Sequence, residues 1–116
     1  MVIRVAEHFG SVCVDPDDGE ALCSMAASGL RDGEKVHLDF TGVSILATLF
    51  LNSAIGCLYG QFSVDDLRQR LSWDGLDETD DELVRLVQAN ACRFFAASLS
   101  QQKRLVEAAG QSLDRC

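Results

Sequence analysis

The sequence predicts an α/β fold, a sandwich of helices and a small mixed β-sheet of about four strands. Three observations carry this. Val36, Leu38 and Phe40 alternate with polar residues and read as a central strand. Helical patterns with visible start signals lie before and after it. Further short runs rich in β-branched and aromatic residues fall near the N-terminus and around Trp73. Helices alternating with strands are layered on a sheet, because each element has one apolar face to bury.

Each element has its own local reasons. Val2 to Phe9 and Ser11 to Val14 flank Gly10, which predicts a hairpin or bent strand pair. Asp15-Pro16-Asp17-Asp18 opens a helix. Asp15 can cap free amides, Pro16 suits the first helical position, and the acids meet the positive end of the dipole. That helix is expected to run to about Ser28, to bury Ala21, Leu22, Met25 and Ala26, and to stop at Gly29. Arg31 to Glu34 turns the chain into the central strand, Lys35 to Phe40. A second helix is expected from Leu46 to Tyr59, ending at Gly60. Ser63 to Asp66 is a small capping box opening a short helical turn, and Leu71-Ser72-Trp73 is a short strand stopped by Asp74-Gly75. Thr79 to Glu82 is a second capping box. Leu83, Leu86, Val87, Asn90, Ala91, Phe94 and Phe95 follow it at helical spacing. A break at Ser98 to Gln101 is expected before a last amphipathic segment, Lys103 to Ala109.

With 116 residues the chain, 1–116, is expected to form a single domain, and its hydrophobic fraction of 47% supports a folded globule. It lacks the run of about eighteen apolar residues that a membrane span requires, and Arg4, Glu7 and His8 interrupt any signal-like start. The expectation is a cytoplasmic protein with no membrane partner. A formal charge of −8 argues against nucleic acid, which asks for a basic surface. The five cysteines (13, 23, 57, 92 and 116) form no C-x-x-C pair and four of them sit in apolar patterns. They read as small buried hydrophobes in a reducing compartment, with no metal ligand set.

Catalytic chemistry has little to stand on. His8 and His37 stand apart from any Cys or acid at metal spacing, and both read as structural. The acids from Asp74 to Glu82 lack the order of a calcium loop and suit a helix N-terminus instead. No cofactor is expected. Asp39 closes the central strand, a position that often carries function in α/β sheets and where Asp equally often bonds the backbone of a turn. The helix after it is more telling. Ala47, Phe50, Leu51, Ala54, Ile55, Cys57 and Leu58 project to one side. Thr48, Asn52, Ser53, Gly56 and Gly60 fall on the other, with Leu49 and Tyr59 among them. Either another element covers these two, or they anchor a docked partner.

The run Leu38 to Gly56, LDFTGVSILATLFLNSAIG, resembles the STAS domains of sulfate transporters and anti-sigma-factor antagonists. It is more similar to a STAS-like family of unknown function, matched by Asp39, Phe40, Gly42, Val43, Phe50 and Gly56, and the likeness covers roughly Val5 to Phe95. The resemblance implies an α/β fold with helices packed on one side of a mixed sheet, and a non-enzymatic role, docking a protein such as a histidine-kinase-like ATPase or an anti-sigma-like regulator. In those antagonists a Ser at the helix start is phosphorylated and its charge breaks the interface. Leu49 stands at that position here, with Thr48 and Ala47 before it, so the usual switch is lost. Thr48 remains a phospho-acceptor candidate one residue away. The leading expectation is a regulatory or adaptor domain with Ser44, Thr48, Leu49, Asn52 and Tyr59 as its partner-binding set. The alternative is a small-molecule or nucleotide sensor binding at a loop formed by Asp39, Thr41, Ser44 and Thr48. A homodimer through the same apolar face is a third reading.

Overall fold

The computed structural model describes the backbone of residues 1–102 and the side chains of residues 1–94. The α/β class holds. In chain order the elements are β1 (Val2–Arg4), α1 (Val5–Phe9), β2 (Val12–Cys13), α2 (Pro16–Arg31), β3 (Val36–Asp39), β4 (Ile45–Leu46), α3 (Thr48–Ala54), a 3-10 turn (Gly56–Gly60), α4 (Val64–Arg70), β5 (Leu71–Asp74) and α5 (Glu78–Gln102). The strands form two small sheets, one ordered β1-β3-β5 and the other β2-β4, and every pairing is parallel. Parallel neighbours need a crossover between them, and the helices supply it. The expected N-terminal hairpin is therefore absent: β1 and β2 join different sheets. Ala6 and Glu7 are good helix formers, and the α1 turn they build drops Val5 into the core, where it is fully buried.

The larger sheet is covered on one face. Ile3, Val36, Leu38 and Leu71 are buried there, while Val2, Arg4, Ser72 and Asp74 are exposed on the other face. The start of α2 is as its sequence requires, with the Asp17 amide donating to Asp15 Oδ1 at 2.8 Å and Pro16 in the first turn. Gly29 does not stop this helix, which continues to Arg31. The missing side chain there admits Met1 and Val36 instead. Gly19 plays the same part against α3. A methyl group at Gly19 would collide with the Phe50 carbonyl oxygen and come within 2.8 Å of Ser53 Cβ. The two helices thus pack closer than any larger residue allows. Ala21, expected inside, is exposed, while Leu22, Cys23, Ala26, Ala27 and Leu30 are buried.

Asp77, rather than Thr79, caps α5 by accepting from the Asp80 amide at 2.8 Å. The buried face of α5 holds Val84, Val87 and Cys92, with Leu83 and Ala91 packed against the core. Leu86, Asn90 and Phe94 lie at helical spacing on an exposed stripe, so the expected face was rotated. The α5 helix runs through the predicted break, to Gln102; the predicted segment Lys103 to Ala109 lies outside the described residues, as does the Phe95 side chain. The cysteines bring a further correction. Cys23 on α2 and Cys57 in the 3-10 turn form a disulfide with Cα atoms 6.7 Å apart. Cys13 is buried and free. The argument for a reducing compartment from unpaired thiols loses its basis with this bond. No helix among the described residues is long and apolar enough to cross a membrane.

Candidate functional site

The strand β3 delivers Asp39 to a tight turn. Its Oδ1 accepts the Thr41 amide at 2.9 Å. The Thr41 hydroxyl and amide, aided by the charges of Arg4 and His37, hold this carboxyl below the usual carboxylate range. Turn formation is completed by the Val43 amide donating to the Phe40 carbonyl at 2.9 Å, with Gly42 at φ 92°, where a side chain would be strained. Asp39 and Thr41 therefore bond to one another, and no hydrogen bond among the described residues links them to Ser44 or Thr48.

From this turn the chain is strapped to β2. The Ser44 and Ile45 amides both donate to the Ser11 carbonyl, at 2.8 and 3.1 Å, the Ser44 hydroxyl donates to it at 3.2 Å, and the Ala47 amide donates to Cys13. Parallel register sets Val12 beside Ile45 and Cys13 beside Leu46. Strand alternation then divides them: Cys13 and Leu46 are buried, while Val12 is 46% and Ile45 54% exposed. The helix α3 begins at Thr48 without a side-chain cap. Phe50, Leu51 and Ala54 face the core, and Leu49, at 64% exposure, faces outward with Thr48 and Asn52. Ser44, Thr48, Leu49 and Asn52 are each exposed, and so are the neighbouring strand residues Val12 and Ile45.

Tyr59 is not among them. It is only 8% exposed, and its oxygen accepts a hydrogen bond from Gln88 Nε2 on α5 at 2.7 Å. The α-helix ends at Ala54, and the separate 3-10 turn that follows packs against α5, so Tyr59 does not share one continuous helix face with Leu49. Burial pushes its hydroxyl above the ordinary tyrosine value, partly offset by Gln88 and by the charge of Arg68.

A family model described as a STAS-like domain of unknown function (DUF4325) matches residues 18–81, more than half of the chain. The chain belongs to this STAS-like family. The matched span opens in α2, takes in the Asp39 turn, α3, α4 and β5, and closes in the first turn of α5. Val12 and its strand lie outside it. No curated protein and no solved structure matches the chain.

Sequence reasoning missed two features of this STAS-like domain. Val12 comes beside the exposed Ile45 only through the β2–β4 register, which joins residues more than thirty positions apart and leaves no local trace. On the exposed sheet face, His37 lies with Nδ1 2.7 Å from Ser72 Oγ and Nε2 2.9 Å from Asp74 Oδ1. This Ser–His–Asp chain of contacts crosses between neighbouring strands on a flat surface, and it acts as a side-chain tie between β3 and β5.

Proposed function

We propose that this STAS-like domain is a non-catalytic regulatory or adaptor module that docks a protein partner through the edge formed by β4 and the start of α3. The exposure of Val12, Ile45 and Leu49 carries this reading. These side chains stand in water while their chain neighbours, Cys13 beside Val12, Leu46 beside Ile45 and Phe50 beside Leu49, are buried. Ser44, Thr48 and Asn52 add exposed hydrogen-bonding groups near them in the chain, and docking surfaces combine an apolar centre with a polar border. The family likeness directs the first binding tests to a histidine-kinase-like ATPase or an anti-sigma-like regulator. Leu49 carries no hydroxyl, so a phosphate can act here only from a neighbour, and Thr48 is the exposed hydroxyl next to it.

A photo-crosslinking side chain at Asn52 identifies the partner in cells, and calorimetry with the purified pair measures the face. Leu49→Asp is expected to weaken binding by about thirtyfold or more, the loss typical of a central anchor. Thr48→Glu, mimicking added charge, is expected to weaken it as well. Unchanged affinity in Leu49→Asp would remove the proposed face. Light scattering covers the remaining occupant: a wild-type dimer that Leu49→Asp turns into monomer assigns the face to a second copy of this chain.

A further inference from the structure

We propose that the cleft between the 3-10 turn, α4 and α5 is a binding site for a small organic oxyanion, a phosphate or carboxylate carried on a compact apolar group. The cleft encloses 290 Å³, and among the described residues no carboxylate lines it. Arg68 from α4, whose Nη1 lies 3.9 Å from Asp65, and Arg85 from α5 both line it, together with Tyr59 and Gln88 and with Val64, Ala89 and Cys92 as apolar wall. The polar groups converge as donors. The Tyr59 oxygen accepts from Gln88, which leaves its own O–H to donate from a side chain more than nine-tenths buried. Arg85 spends Nε on Asp81 at 2.8 Å, and Asp81 is held in turn by the Trp73 indole N–H at 3.2 Å. The Nη groups of Arg85 are thereby oriented and remain to be used. A guanidinium fork matches the paired oxygens of a carboxylate or phosphate, and the Tyr59 O–H and the Arg85 Nη groups offer donors that a cation could not use. The volume lies at the small end of ligand sites, which begin near about 300 Å³, so a phosphate with one small ring fills it. The chain carries a net charge of −8, so its overall field repels anions, and saturable anion binding has to come from a local arrangement of this kind.

The test titrates the intact protein with phenyl phosphate, benzoate, inorganic phosphate and neutral benzyl alcohol. Tyr59 and Trp73 are the only tyrosine and tryptophan, so ring NMR signals and indole fluorescence report directly on the cleft and on the Asp81 contact. The expected result is saturable binding of phenyl phosphate or benzoate below about 1 mM, with Tyr59 signals shifting. The preferred ion of the two assigns phosphate or carboxylate. Loss of a charged hydrogen bond weakens binding by about tenfold or more, so Arg85→Gln and Arg68→Gln should each do so, and Tyr59→Phe, which keeps the ring, should weaken it to a lesser degree. Arg4→Gln, on the open sheet face, should leave it unchanged. Three results overturn the proposal: no saturation by either aromatic anion, equal binding of benzyl alcohol, or equal loss in the Arg4 variant. None of them touches the docking edge, whose test reads Leu49.

Discussion

Replacing both cysteines of the Cys23–Cys57 bond by alanine tests the largest single covalent constraint among the described residues. The two positions are 34 residues apart, and the enclosed loop carries β3, β4 and α3. Closing a loop of this length removes unfolded-chain entropy worth about 3.8 kcal/mol at 25 °C in the chain-entropy treatment. Total stabilities of domains this size are roughly 5–15 kcal/mol, so the bond supplies a large share. Unfolding entropy of about 2.1 cal/mol/K per residue converts the loss into a fall in melting temperature of roughly 15 °C. Thermal melts followed by far-ultraviolet circular dichroism measure it on three samples: oxidised wild type, reduced wild type and the Cys23→Ala/Cys57→Ala variant. Reduction acts on every cysteine at once, so the double variant isolates this pair. Free-thiol titration of the denatured oxidised protein confirms that the bond is present. A double variant melting within about 2 °C of the oxidised wild type would refute the reasoning, since even partial loss of the entropy term gives more.

Leu49→Asp should change stability by less than about 0.5 kcal/mol because its side chain stands in solvent, while Phe50→Ala beside it should cost about 3–5 kcal/mol by urea unfolding. Equal effects at the two positions would contradict the placement of α3. Gly19→Ala should destabilise by about 1–3 kcal/mol although alanine is the better helix former, because the added methyl meets the α3 backbone; a stabilised variant would show that the helices can part. Acidification should destabilise the fold through Asp39 and Asp81, whose carboxyls are held low, Asp39 by Thr41 and Asp81 by Arg85 and then Trp73. Each titrates lower in the folded than in the unfolded chain, so its contribution is complete above the ordinary carboxylate pKa and lost as pH falls through the folded value. Urea midpoints at about pH 7 and pH 3 should therefore converge in Asp39→Asn/Asp81→Asn relative to wild type, and an unchanged difference would assign the acid sensitivity elsewhere.

Features written into neighbouring residues were legible before any coordinates. Asp15-Pro16 marks a helix start because the cap and the proline act within one turn, and Val36 to Asp39 reads as a strand because alternation is a property of adjacent positions. Readings failed where a distant contact decided the outcome. Gly29 looks like a stop, yet its bare backbone is where Met1 and Val36 pack. The residues Val2 to Phe9 have strand composition, but β3 offers pairing only to the first few of them, and the rest coil into α1. The α5 pattern contains enough apolar residues for two faces, and the core took Val84 and Val87 over Leu86. Cysteine pairing cannot be deduced from spacing, and only the packing of α2 on the 3-10 turn brings Cys23 to Cys57.

The candidate site divides along the same line. That Leu49 points away from Phe50 and Leu51 was legible because the three lie within one helical turn, about 100° apart per residue, whereas only the fold shows that no other element covers it. Tyr59 was misplaced because ten residues of uninterrupted α-helix were assumed between the two. The α-helix ends at Ala54, ahead of the 3-10 turn that begins at Gly56. The segment after Ala54 is no longer part of α3 and packs against α5, where Tyr59 is buried against Gln88. The break has a chemical consequence. In one continuous helix Leu49 and Tyr59 would serve a single surface. As folded, Leu49 stays with the β4 edge and Tyr59 is delivered to Gln88, Arg68 and Arg85. One short segment of chain thereby serves both proposals, with Leu49 as the apolar anchor of the proposed docking edge and Tyr59 as a hydroxyl donor of the proposed cleft site.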